Sequence, residues 1–136
     1  MIFVDTGAWY ALMDGADPNH RAAAAFWREL MRGAHGRLVT SDYVVAETYN
    51  LLCHRSGANA VERLAGLLEQ SCSVELLWVS PEDCARGLKL LLSRRDKPWS
   101  FTDCTSFVLM EALEVRDAFT FDQHFSQAGF LRHPDK

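Results

Sequence analysis

Short strand-like runs alternate with stretches of helical period along the whole chain, and that alternation restricts the fold more than any other feature. Residues 2–5 (Ile2-Phe3-Val4-Asp5) have the short, β-branched and aromatic character of a buried strand. Similar runs recur at 38–40, 74–79 and 118–121. Between them lie helical patterns at 8–13, 20–32, about 42–55, 59–71, 81–93 and 102–114. In the second of these, Ala23, Phe26, Trp27, Leu30 and Met31 form one apolar stripe; in the fourth, Val61, Leu64, Leu67 and Leu68 face inward. A short helical turn near 123–128 leads into the tail. The punctuation agrees. Asn19 can cap the second helix, Ser41 or Asp42 the third, and Gly57 supplies a stop. Ser80-Pro81-Glu82-Asp83 is a strong helix start: a capping hydroxyl, a proline in the first turn, and acids at the positive end of the dipole. Strands joined through helices pair in parallel. The pattern therefore predicts an α/β fold, a three-layer α/β/α sandwich with a parallel central sheet.

At 136 residues the chain fits one domain, 1–136, and its hydrophobic content of 49% is enough for one full core. No linker, internal repeat or low-complexity segment interrupts the pattern. The net charge of -4 argues against a generic nucleic-acid coat protein. It leaves room for nucleic acid at a metal site, where the ion adds positive charge. Cys53, Cys72, Cys84 and Cys104 form no C-x-x-C pair, so free thiols in a reducing, cytoplasmic setting are expected. The apolar runs are too short to span a bilayer, and a strand-like run at the N-terminus predicts no signal peptide.

Four acids stand where such a fold could gather them. Asp5 ends the first strand-like run, Glu47 lies within the third helical pattern, Asp103 opens a later helix, and Asp122 follows the run 118–121. Sites of parallel sheets lie at strand ends. Each acid also has an ordinary reading. Asp5 can cap the turn at Thr6-Gly7, Glu47 can pair with a basic side chain, Asp103 suits a helix N-terminus, and Asp122 suits a turn. Gathered together, the carboxylates would repel unless a divalent cation neutralised them. The five histidines lack zinc-site spacing, and no nucleophile elbow or phosphate-cradling loop is present. Arg94, Arg95 and Lys97 form a small basic patch before Asp103, either a solvated loop or a hold on a phosphate backbone. Trp99 and Phe101 beside it fit the core, or base stacking.

At these residues the chain resembles the PIN-domain nucleases, and among them the VapC toxins of toxin–antitoxin pairs. The matching segments are Val4-Asp5-Thr6-Gly7, Asp17-Pro18-Asn19-His20, Ser41-Asp42-Tyr43-Val44-Val45-Ala46-Glu47, Ser100-Phe101-Thr102-Asp103 and Thr120-Phe121-Asp122-Gln123-His124-Phe125. They run in family order over essentially the whole chain. The resemblance implies a single PIN-like sandwich and a metal-dependent endoribonuclease using Mg²⁺ or Mn²⁺. It maps the catalytic and metal-binding acids onto Asp5, Glu47, Asp103 and Asp122, with Thr6 and Thr120 as accessory hydroxyls. Asp5 and Asp103 are expected to ligate the principal ion directly, with Asp122 and Glu47 acting through water or a second ion. It also implies a small antitoxin partner and a homodimer. The expected target is a single-stranded or looped RNA, whose backbone can enter an acidic cleft. A PIN nuclease of RNA processing and a non-catalytic PIN-like binding module stay open at this stage.

Overall fold

Ile2, Phe3 and Val4 have no solvent-exposed surface, and the sheet is built outward from them. The computed structural model describes residues 1–135. Strand β1 (Ile2–Val4) lies at the centre, flanked by β2 (Leu38–Ser41) and β4 (Asp117–Phe119). The edges are β3 (Val74–Leu77) and β5 (Leu131–His133), giving the order β3-β2-β1-β4-β5. Every pairing is parallel, with Phe3 opposite Val39 on one side and Ala118 on the other. Such strands must be covered on both faces, which is why the central one is an unbroken apolar run. The helices that cover them are α1 (Thr6–Met13), α2 (His20–Met31), α3 (Asp42–Arg55), α4 (Ala58–Gln70), α5 (Pro81–Ser93), α6 (Phe101–Ala112) and α7 (His124–Gln127). The result is the three-layer α/β/α sandwich expected from the alternation.

Several boundaries differ from the sequence reading, each for a local reason. The tail contains a strand: β5 has only three residues, and its Leu131 is 58% exposed, so its apolar signal is slight. The run 118–121 pairs as Asp117–Phe119, which leaves Thr120 and Asp122 beyond the ladder. The strand expected over 74–79 stops at Leu77, and the Val79 amide donates to the Asp42 carboxylate (2.8 Å). Asn19 sits at the start of α2 without capping it through its side chain; instead its own amide donates to Asp17 Oδ1 (2.8 Å). Met31, at the last position of α2, is 43% exposed rather than part of the inward stripe. Helix α6 ends two residues early because Glu114 turns to φ 56°.

Other signals act as read. Ser41 caps α3 by accepting from the Val44 amide (3.1 Å), and Gly57 at φ 88° donates its amide to the Leu52 carbonyl (2.9 Å). Ser80 and Asp83 form a reciprocal capping box on α5. The core joins the layers through Trp9, Phe26, Phe107, Phe119 and Phe125. Within it Trp9 Nε1 donates to Thr40 Oγ1 (3.1 Å), which donates to the Val4 carbonyl (2.9 Å). Among the described residues no helix is long and apolar enough to cross a membrane.

Candidate active site

The strand order reverses direction at β1. From β1 the chain moves one way to β2 and β3, then crosses back to β4 and β5 on the other side. Ligands of open parallel sheets bind outside the carboxyl ends of the strands at such a switch point. Asp5 follows β1 there, and Thr120 and Asp122 follow β4.

Asp5 is 5% exposed. Its backbone amide donates to the Phe119 carbonyl (3.0 Å), which fixes the residue between the two strands. The turn into α1 is closed by the Asp5 carbonyl, which accepts from the Ala8 and Trp9 amides (both 3.1 Å). The carboxylate makes no cap bond, so capping does not account for an acid at this position. Instead Asp5 Oδ2 accepts from Thr120 Oγ1 (2.9 Å). Thr120 Oγ1 in turn accepts from the Asp122 amide (3.0 Å), so one hydroxyl orients both acids.

Asp103 is brought in by the first turn of α6, and its place there is set by capping chemistry. The Ser100 amide donates to Asp103 Oδ2 (3.1 Å), while the Asp103 amide donates to Ser100 Oγ (3.0 Å). The same Oδ2 accepts from His124 Nδ1 (3.1 Å). Among the described residues nothing donates to Asp103 Oδ1. His124 Nδ1 also stands 3.2 Å from Asp122 Oδ2, and its amide donates to Asp122 Oδ1 (2.9 Å). Ligand atoms of Asp103, Asp122 and His124 thus lie within 4.8 Å of one another.

The charge balance of this group is unfavourable without a cation. Burial, the nearby Asp103 and, more weakly, Asp122 push the Asp5 carboxyl up to about 7, although the Thr6 backbone and the Thr120 hydroxyl act against the rise. Beside it, Thr6 Oγ1 is buried with no hydrogen-bond partner among the described residues. A buried hydroxyl without a partner costs about 1–3 kcal/mol, so the site has an unfilled demand for a water or an ion. The donors offered are carboxylates and hydroxyls, with one imidazole at the margin, and these hard oxygens fit Mg²⁺ or Mn²⁺ better than a soft metal. Burial and Asp103 also push the neighbouring Cys104 thiol up to about 11, so it stays protonated near neutral pH.

Asp5, Thr120 and Asp122 are joined by hydrogen bonds, Asp103 stands close enough to Asp5 to raise its carboxyl, and Thr6 is adjacent in sequence with its hydroxyl unpartnered among the described residues. Glu47 lies half-buried on α3 and makes no hydrogen bond or ion pair with the other three acids among the described residues. His124 is the residue that sequence reasoning missed. It stood in the quoted segment 120–125, two residues after Asp122, but the search for zinc-type spacing passed over it. In the basic patch, Arg94 is not free. It is paired with Asp96 through Nε–Oδ1 (3.2 Å) and Nη2–Oδ2 (3.3 Å), and it lies over the Trp99 ring at 5.3 Å.

Known proteins share this sequence pattern and this fold. Residues 2–131 match the PIN domain. The chain is 33% identical over 131 residues, 96% of each protein, to the 23S rRNA-specific endonuclease VapC20 of Mycobacterium tuberculosis. It is 30% identical to the ribonuclease VapC26 of the same organism, over 92% of this chain and 90% of that protein. The crystal structure of VapC20 of Mycobacterium tuberculosis, a sarcin–ricin loop cleaving toxin, superposes with a TM-score of 0.89, covering 96% of this chain and 97% of that one at 31% identity. FitAcB from Neisseria gonorrhoeae, at 18% identity and a TM-score of 0.66 over 97% and 96% of the two chains, shares the fold. By sequence and fold, the chain belongs to the PIN-domain family and to its VapC group.

Proposed function

We propose that this protein is a divalent-metal-dependent endoribonuclease of the toxin kind, restrained by a small antitoxin. The observation that carries the reading is the meeting of three carboxylates, Asp5, Asp103 and Asp122, beside the unpartnered Thr6 hydroxyl. The names of VapC20 and VapC26 support the ribonuclease, and that of VapC20 supports a loop of 23S rRNA as the substrate class.

Asp5 and Asp103 would hold Mg²⁺ or Mn²⁺ directly, with Asp122 and Glu47 acting through water or a second ion. When bound, the ion supplies Lewis acidity and a water of lowered pKa for in-line attack on the phosphodiester phosphorus. The rest is positioning by the protein. Thr120 holds Asp5 and Asp122 in a fixed relation through its hydroxyl. The Ser100 amide and His124 hold the Asp103 carboxylate through Oδ2, so that Asp103 would be oriented to help hold the ion. Arg95 and Lys97, in the loop that leads into α6, serve the RNA backbone. An apolar groove of about 560 Å³ between α5, α6 and α7, lined by Leu90, Trp99, Phe107 and Phe130, is suited to an antitoxin segment. A cytoplasmic homodimer completes the reading, by resemblance.

The test is cleavage of an RNA carrying the sarcin–ricin loop, beside a mixed RNA pool, with Mg²⁺, with Mn²⁺ and with EDTA. Cutting should need the metal and fall by about 100-fold or more in Asp5→Asn and Asp103→Asn. Parental cleavage in either variant, or cutting that persists in EDTA, would overturn the assignment.

A further inference from the structure

Although the histidines lack zinc-type spacing in sequence, the fold gathers a second group of side chains of metal-ligating types. His35, Asp117 and His133 come from three separate parts of the chain: the loop before β2, the first residue of β4 and the last residue of β5. The fold brings one ligand atom from each within 4.8 Å of the others. His133 Nε2 is 2.8 Å from Asp117 Oδ1, and the His35 and His133 rings lie 4.6 Å apart. Phe26, 5% exposed, backs both imidazoles. It stacks on His133 at 5.8 Å and 5° and meets His35 at 5.6 Å. Asp117 opens β4 and His35 precedes β2, while His133, paired with Phe119 at the end of β5, reaches back to Asp117; none of the three is among the carboxylates of the active site.

We propose that His35, Asp117 and His133 form a binding site for Zn²⁺ or a similar borderline divalent metal. Two imidazoles and one carboxylate are the ligand types such ions take and Mg²⁺ does not seek. Three protein ligands leave a fourth position to water. Bond lengths of about 2.0–2.2 Å place tetrahedral ligand atoms roughly 3.4 Å apart. Asp117 and His133, at 2.8 Å, are closer than that, so their contact would open by about 0.6 Å while His35 makes the remaining adjustment. Its loop can make it: Gly33 and Gly36, at φ 90° and 73°, flank the residue on either side. All three side chains are half-buried, open enough for an ion to enter and closed enough to be held in place. A bound ion would tie the edge strand β5 to β4 and to the α2–β2 loop. It would also brace the active site, because the His133 carbonyl accepts from the Thr120 amide (3.0 Å) and Thr120 orients Asp5.

The experiment is calorimetric titration of the full metal-stripped chain with ZnCl₂ in excess MgCl₂, using His124→Ala so that the group of Asp103, Asp122 and His124 does not compete. One Zn²⁺ should bind per chain, and Co²⁺ in its place should give the intense visible absorption of a low-coordinate site. His35→Ala, on an exposed loop, should weaken Zn²⁺ binding by about tenfold or more while leaving the far-UV circular dichroism unchanged, and Asp117→Asn should do the same. No Zn²⁺ binding by the His124→Ala protein, or equal binding after His35→Ala and Asp117→Asn, would overturn the proposal. The readout is ion binding, so it is separate from whether the protein cuts RNA.

Discussion

At Asp5, the burial that suits the residue to an ion also destabilises the metal-free protein. Its carboxyl is raised from 3.8 to about 7 in the fold, so the native state holds a proton that the unfolded chain releases at lower pH. The stability tied to this group is therefore full below about pH 4 and is lost as pH rises through about 7. Three units correspond to roughly 4 kcal/mol, at about 1.4 kcal/mol each. Asp5→Asn cannot ionise and its amide oxygen can still accept from Thr120. In EDTA it is expected to melt well above the parent at about pH 8, with the gap closing by about pH 4. Thermal unfolding of both proteins at the two pH values checks this, and a gap that ignores pH would sink it. Asp5 was legible in the sequence because a parallel strand has no packing reason to end in an acid. His124 was not, because its role depends on Asp103, which is distant in sequence and arrives on another element.

Two helices of this protein start the same way, and comparing them separates stability from function. Ser80 with Asp83 caps α5, and Ser100 with Asp103 caps α6, each through a reciprocal pair of bonds. Losing either hydroxyl should cost about 1 kcal/mol of stability. Only the second box also holds an acid of the site. Ser80→Ala is expected to lower the melting temperature and leave RNA cleavage per folded molecule unchanged. Ser100→Ala should lower it similarly and also reduce cleavage by about tenfold, as the Asp103 amide loses its acceptor and the turn that presents the carboxylate loosens, although the Ser100 amide can still donate to Oδ2. Equal cleavage by the two variants would separate the cap from the chemistry. These starts were readable because a cap is chemistry between neighbours in sequence. Strand β5 was not: three residues, mostly exposed, owe their pairing to β4 rather than to any pattern of their own. The limits of α6 and β4 shifted by a residue or two for the same reason, since backbone geometry such as Glu114 at φ 56° leaves little trace in composition.

For the molecule as a whole, alternation of element types announced a parallel sheet, but not which strands are neighbours. The order β3-β2-β1-β4-β5 creates the switch point, and with it the meeting of Asp5 with residues more than a hundred positions away. It also sets an electrostatic problem, because a chain of net charge -4 has to receive a polyanion at a cluster of acids. Local positive charge is needed, and the loop entering α6 is one source of it. Arg94 contributes little there, being paired with Asp96 and packed over Trp99. Arg95 and Lys97 have no acidic partner among the described residues. If they hold two phosphates, replacing both with Ala should reduce the slope of log affinity against log salt by about 1.4, since each contact to single-stranded nucleic acid contributes about 0.7. The loss should be uniform across RNA sequences, because phosphate contacts carry no base information. Arg94→Ala should instead lower the melting temperature and leave that slope nearly unchanged. RNA binding by catalytically silent Asp103→Asn protein, measured over a range of salt, distinguishes the two: an unchanged slope after losing Arg95 and Lys97 would move the RNA path away from this loop.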